Sequence, residues 1–230
     1  MGMKGRTSLF SDELAEKYEF VNHGHAAEIL QSAYSDEWND ISNALSNFSM
    51  SSSEIIESGG AVSTILNLFE SLFQQHGWKN TLLKATLHLQ YFERIAGQRK
   101  YADIPYAEHD VNNYLSGQRL DYLKNGVGIC LEWNKKDIAF DRDLSALRAF
   151  YELNCIGVGV IITRSDELDT AFEKIFTGAN SAAGKKYTSS TTHLGKLIPR
   201  IDSRQAGGCP ILAIGIKSGC ISDLGAETDE

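Results

Sequence analysis

Through the first half of the chain apolar residues recur every three or four positions, and through the second they gather into short unbroken runs. The first pattern marks amphipathic helices and the second marks strands buried on both faces. Glu13 to Phe20 and His25 to Gln31 are short helix candidates, and Glu37 to Phe48 carries Trp38, Ile41, Leu45 and Phe48 on one stripe. Ser51, Ser52 and Ser53 offer caps to a further short helix before Gly59-Gly60, because a serine hydroxyl satisfies a free N–H of a first turn. Val62 to Gln75 places Val62, Ile65, Leu66, Phe69, Leu72 and Phe73 on one face and stops at His76-Gly77, as a C-terminal glycine predicts. Thr81 to Tyr91 alternates through Leu83, Ala85, Leu87 and Leu89 and reads as a strand. Gly97 to Asn113 is polar and reads as irregular.

Beyond residue 115 the character changes. Gln118 to Leu123 reads as a short strand, Asn125-Gly126 as a hairpin turn, and Val127 to Asn134 as a near-continuous apolar strand. Asp141 to Leu153 is a helix capped by Asp141, with Leu144, Leu147, Ala149 and Phe150 inward. Ile156 to Thr163 is a buried strand, and Ser165 opens a helix to about Phe176. A small-residue loop follows over Gly178 to Gly184. Thr191 to Ile201 reads as a helix broken by Gly207-Gly208, Pro210 to Ile216 as a last buried strand, and the segment from Ser218 as a polar, frayed tail. A hairpin followed by helix–strand units predicts an α/β fold, a mixed β-sheet flanked by helices on both faces, with a helical N-terminal part. We expect a single domain over 1–230, mainly helical over 1–115, an α/β core over 116–217 and a tail over 218–230. No repeat or low-complexity segment is visible.

Composition changes this picture little. The chain is 42% hydrophobic and 23% charged, ordinary for a water-soluble globular protein. No apolar run is long enough to span a membrane, and Met1 to Phe10 has no apolar core of a signal peptide. Cys130, Cys155, Cys209 and Cys220 form no CxxC pair, and Cys130 and Cys155 lie in apolar stretches. This predicts free thiols in a reduced, cytosolic protein without a zinc site. Net charge is −8, with an acidic stretch from Asp12 to Glu70. The segment from Gly184 to Arg204 is the exception, with Lys185, Lys186, Lys196, Arg200 and Arg204 against Asp202 alone. An acidic protein can still carry one basic groove that meets phosphates.

The residues that suggest chemistry sit around the hairpin. Asp121 lies on its first arm, and Glu132 and Asn134 lie two apart on its second, so their side chains share a face. Two carboxylates and an amide there suit a hard divalent cation such as Mg2+, with the Trp133 carbonyl as a further ligand. By spacing alone the two acids fit equally a solvent-facing edge hairpin. Lys135, Lys136, Arg142 and Arg148 follow directly, either as solvated helix flanks or as phosphate contacts. Tyr187 to His193 is rich in small hydroxyls, through Ser190, Thr191 and Thr192; it fits a capped helix start and equally a row of donors. His23 and His25 form an HxH pair without a third ligand nearby. Gly157 and Gly159 lie inside a strand and make no phosphate loop, and no GxSxG elbow occurs.

The acid, the apolar strand and Glu-x-Asn together resemble the PD-(D/E)xK nuclease core. More closely they resemble the type II restriction endonucleases of the BglII/BstYI-like family, whose third position carries an amide in place of lysine. The family's amide is Gln, and Asn134 is one methylene shorter. The order of segments agrees as well, from Asn22-His23, Glu28-Ile29-Leu30, Trp38 and Ile41, through His76-Gly77-Trp78-Lys79, to Gly157–Thr163 and Pro210–Ile216. The resemblance implies a restriction-endonuclease-like core and a cytoplasmic enzyme of a bacterial or archaeal cell. It implies Mg2+-dependent cleavage of both strands of a short palindromic duplex DNA site by a homodimer. Asp121, Glu132 and Asn134 would be catalytic, with Asp121, Glu132 and the Trp133 carbonyl on the metal. Lys135, Lys136, Arg142, Lys185, Lys186, Ser190, Thr191, Thr192, His193 and Lys196 would meet DNA. Apolar faces near Leu144–Phe150 or Leu194–Ile198 are candidate dimer surfaces, with core burial as their alternative. Three competing readings are a repair nuclease on the same core, a DNA-binding protein that has lost catalysis because position 134 lacks lysine, and a partner-binding protein working through its acidic N-terminal helices.

Overall fold

The computed structural model of the protein describes residues 10–57, 64–177, 184, 185, 187 and 190–224. The expected Gly59-Gly60 break, the start of the helix at Val62, the loop from Gly178 up to Gly184 and Lys186 lie outside the described residues.

Helix α1 (Asp12–Lys17) starts at Ser11, whose Oγ accepts from Leu14 N–H at 3.3 Å. The expected helix then gives way to strand β1 (Tyr18–His23). Helices α2 (Ala26–Ala33), α3 (Ser35–Asn47), α4 (Ser52–Glu57) and α5 (Thr64–Gln74) follow. The serine run does cap α4: Ser51 Oγ accepts from Glu54 N–H, and Glu54 Oε2 accepts from Ser51 N–H at 2.7 Å. That reciprocal pair is a capping box. Strands β2 (Lys79–Tyr91), β3 (Ala107–Lys124) and β4 (Val127–Leu131) come next. They are followed by α6 (Ala139–Glu152), β5 (Val158–Arg164), α7 (Leu168–Ile175), α8 (Leu194–Asp202), β6 (Ile211–Ile216) and a 3-10 turn, Ser218–Cys220. Ile138, not Asp141, occupies the N-cap of α6, and Asp141 lies in its first turn.

The strands form one mixed sheet in the order β1-β6-β5-β4-β3-β2. β4, β5 and β6 run parallel, while β3 against β4 and β1 against β6 are antiparallel. The β3–β4 turn is Asn125-Gly126 at φ 42° and 90°, the left-handed pair that a two-residue hairpin demands. Val127, Ile129, Leu131, Val158, Val160, Ile162, Leu212 and Ile214 join one core with residues of α2, α3, α5 and α7. On the other face Gly128 and Gly159 are ladder neighbours, and a Cβ on either would come within 3.4 Å of Leu147 of α6. Two glycines side by side thus let α6 lie close against the sheet. Leu194 of α8 meets Gly215 in the same way.

Leu144, Leu147, Phe150, Leu194 and Leu197 are buried within this single chain, so the apolar stripes offered as dimer surfaces are spent inside it. Cys155 is exposed rather than buried. The segment from Ser218 is not frayed at its start, for Cys220 and Ile221 are buried and Met50 N–H donates to Cys220 O at 2.9 Å. Among the described residues no helix is long and apolar enough to cross a membrane.

Two compact units can be distinguished, Leu82–Arg119 and the remainder of the chain. Within Leu82–Arg119 the partners pair in opposite chain directions: His88 with Asp110 at 2.6 Å, Gln90 with Glu108 at 2.7 Å, and Arg94 bridged to Tyr101. The polar segment expected to be irregular is therefore extended from Ala107 onward.

Candidate active site

At the C-terminal end of β4 the regular ladder to β3 reaches Tyr122↔Ile129. Just beyond it the Asp121 Oδ2 takes the Leu131 N–H at 2.7 Å, so a carboxylate stands in for a main-chain acceptor. Glu132 follows Leu131 and still donates its N–H to Ile162 O of β5 at 2.9 Å. Its side chain is 1% exposed. The strand has ended, however, and Asn134 adopts φ 53°, a left-handed conformation that Asn tolerates better than most residues. Strand alternation therefore does not place Asn134 beside Glu132 in the way its spacing suggests. Its Oδ1 is nonetheless buried and unpartnered among the described residues.

Among the described residues two cations reach Glu132. Lys135 Nζ and Arg142 Nη2 each lie 3.0 Å from its Oε1, while Oε2 is buried without a partner among the described residues. A further acid, not anticipated as a site residue, completes the cluster: Asp143 of α6 is 4% exposed and its Oδ1 accepts from Arg142 Nη2 at 3.3 Å. Burial first, and the neighbouring Glu132 charge second, push its carboxyl up to about 8, with Arg142 acting in the opposite sense. The sequence did carry a signal for it. The inward stripe of α6 reads Phe140, Asp143, Leu144, Leu147 and Phe150, one acid among apolar residues. Among the described residues no three His, Cys, Asp or Glu side chains are gathered as a ready metal site. The oxygen-only donors and the buried unpaired atoms Glu132 Oε2, Asn134 Oδ1 and Asp143 Oδ2 do suit a hard cation.

Trp133 is buried, and its indole donates to Tyr187 Oη at 3.3 Å, which in turn donates to Ile55 O at 2.9 Å. The two segments singled out beyond the hairpin are joined directly. Thr192 N–H donates to Lys135 O at 2.8 Å, Asp137 N–H to Ser190 O at 3.0 Å, and Lys136 bridges Thr191. Ser190, Lys136 and Lys185 are exposed, and Lys196 is half-buried. Thr191 and Thr192 are buried. Both are tied to Arg164, a buried arginine at the end of β5 that sequence reasoning passed over. Its Nη2 donates to Thr191 Oγ1 at 2.8 Å, its Nε to Thr192 O at 2.9 Å and its Nη1 to Asp169 at 2.6 Å. An arginine closing a strand that is apolar up to Thr163 was the available clue. His193 Nδ1 stands 2.5 Å from Asp166 Oδ1 in ion-pair rather than aligned hydrogen-bond geometry, and Asp166 Oδ2 accepts from Gly195 N–H at 2.8 Å. Asp166 thereby anchors the start of α8. Arg200 of α8 reaches back to Asp141 at 2.8 Å and Asp137 at 3.5 Å.

A mixed sheet flanked by helices, with acids at the end of a hairpin strand, is a restriction-endonuclease-like fold. The profile of the family described as Restriction endonuclease BglII/BglIII matches residues 18–216, and the chain belongs to that family. It is thus a nuclease of the restriction type, and a DNA-binding hydrolase. A comparison with curated proteins found no match.

Proposed function

We propose that the protein is a Mg2+-dependent type II restriction endonuclease that acts as a homodimer on a short palindromic duplex site. The observation that carries this reading is Glu132, a buried carboxylate beside Asp121 that keeps one oxygen unspent while two cations serve the other. A buried acid without such use would be costly. Asp121, Glu132 and the Trp133 carbonyl would hold the ion. When bound, Mg2+ supplies positive charge to the phosphate and lowers the pKa of a water. Asn134 orients the attacking water through its amide. Lys135 and Arg142 balance the carboxylates in the free protein and turn to the phosphate when DNA is present. The loss of lysine at position 134 does not argue for a silent fold, since the Lys135 ammonium lies 3.0 Å from Glu132.

Lys136, Lys185, Lys186 and Lys196 neutralise backbone phosphates, which fix position but carry no sequence information. Base reading falls to Ser190 and His193, on the segment that Arg164 and Asp166 hold in place, while the buried Thr191 and Thr192 anchor that segment rather than meet DNA. One chain carries one set of Asp121, Glu132 and Asn134, hence one cut, and symmetric cleavage of both strands calls for a two-fold dimer.

Plasmid digestion with and without Mg2+ tests the reading. Discrete bands that need the ion are expected, and Glu132→Gln or Asp121→Asn should abolish them while specific binding persists. A smear would favour a repair-type nuclease, and binding without cleavage under any divalent ion a non-cleaving protein. Asn134→Ala should slow single turnover more than Asn134→Gln does. Replacing Lys185, Lys186 and Lys196 with alanine should flatten the salt dependence by about one unit of log–log slope per contact.

A further inference from the structure

Asp143 has no evident place in the two-acid site, yet its burial is expensive. A leucine there would continue the apolar stripe of α6 and cost nothing in desolvation. Instead a carboxyl group is 4% exposed, within hydrogen-bonding reach of the Glu132 carboxyl, and among the described residues no N–H or hydroxyl donor serves its Oδ2. Glu132, 1% exposed, has an oxygen in the same condition. The two acids share one cation: Arg142 Nη2 lies 3.0 Å from Glu132 Oε1 and 3.3 Å from Asp143 Oδ1. That guanidinium belongs to a side chain 63% exposed to solvent, so it reaches inward from the surface to a pair of buried acids.

We propose that Asp143 is a further carboxylate of the cation site, and that with Glu132 it takes a divalent ion at the place Arg142 Nη2 now holds. The proposal rests on the reading of Asp121 and Glu132 given above and adds to it a ligand from a different element, α6. Charge supports the exchange. Asp121, Glu132 and Asp143 bring three carboxyl groups against two cations, Lys135 and Arg142, and a divalent ion in place of Arg142 raises the positive charge facing them to three. Carboxylate oxygens are the donors that Mg2+ and Mn2+ prefer. The alternative is that Asp143 serves only as the ion-pair partner of Arg142.

Mn2+ binding to the full chain without DNA, followed by the electron paramagnetic resonance signal of the free ion, separates these roles without any cleavage readout. Asp143→Asn is expected to weaken Mn2+ binding by about tenfold or more, at least the loss seen for groups that only support a ligand. Glu132→Gln should weaken it further, and Arg142→Met, which removes the competing cation, should tighten it severalfold. Wild-type affinity in Asp143→Asn with binding lost in Glu132→Gln would overturn this proposal and leave the two-acid reading standing. Wild-type affinity in both Asp121→Asn and Glu132→Gln would overturn the two together. If Asp143→Asn does not fold, as judged by circular dichroism, Arg142→Met decides: an unchanged or weaker affinity overturns the proposal.

Discussion

Every residue of β5, from Val158 to Arg164, is buried, whereas no residue of β2 is. The two strands share a backbone geometry but not a cause. β5 is held by apolar surface removed from water on both faces, worth about 25 cal/mol per Å2. The Leu82–Arg119 unit is held by its own ladder and by solvent-exposed cross-strand pairs such as His88–Asp110 and Gln90–Glu108. It nevertheless displays Tyr101, Ile104, Tyr106 and Tyr114, all more than half exposed. Burial is thus concentrated where the acids are, and the Leu82–Arg119 unit keeps these large side chains in water.

The contrast is sharpest in stability. Phe150→Ala should cost about 3–5 kcal/mol in denaturant unfolding, while Ile104→Ala should stay within about 0.5 kcal/mol. A cost at Ile104 that rises with protein concentration would break the comparison, because the exposed unit would then be covered by another chain. Next in size is Arg164→Met, which strips Thr191, Thr192 and Asp169 of a shared donor. It should cost about 2–3 kcal/mol and speed hydrogen exchange at the Thr192 and Asp137 amides, with the amides of β5 itself little changed. Uniform acceleration would mean that Arg164 supports the whole sheet. Gly159→Ala sets a Cβ 2.9 Å from Leu147 Cδ2 and should cost about 1–3 kcal/mol by overpacking; a neutral outcome would show that α6 can shift outward freely.

The smallest effect belongs to His88, whose pKa is raised chiefly by its hydrogen bond to Asp110. Asp110→Asn should lower it in an NMR titration. A raised histidine pKa stabilises the folded state below the unfolded-state pKa, and the effect is lost as pH rises through the folded-state value. An unchanged His88 titration in Asp110→Asn would mean that the pairing does not persist in solution.

What was legible in the sequence follows the same division. Central strands announced themselves as apolar runs, and Asn125-Gly126 fixed the hairpin, because both signals are local. β1 was hidden. Leu14 and Tyr18 are spaced for a helix and both are buried, but Tyr18–His23 is drawn into the sheet by β6, which no local pattern reveals. The first part of β3 was hidden for the opposite reason: with neither face buried over Ala107–Asn113, no alternation is required. At the site, spacing put Asp121 and Glu132 on one hairpin but fitted a solvent-facing edge as well, and the family resemblance gave them chemistry. The apolar run from Val127 to Asn134 placed Asn134 on a strand that in fact ends at Leu131. Asp143 stands in the charged run Asp141-Arg142-Asp143 and Arg164 ends a buried strand, and the segments that bury each are brought there by the fold, which no local pattern reveals.

The pairing of β1 with β6 has a consequence for how the chain is made. Tyr18 faces Ile216 and His23 faces Ile211, so one outer strand of the sheet leaves the ribosome long before the strand it pairs with. Closing so long a loop is entropically costly and slow. Until residue 216 has emerged, β1 has no ladder to join and β5 keeps an open edge beside Val160 and Ile162. A chain broken off before Ile211 would therefore present bare strand edges, a template for aggregation rather than a smaller working protein.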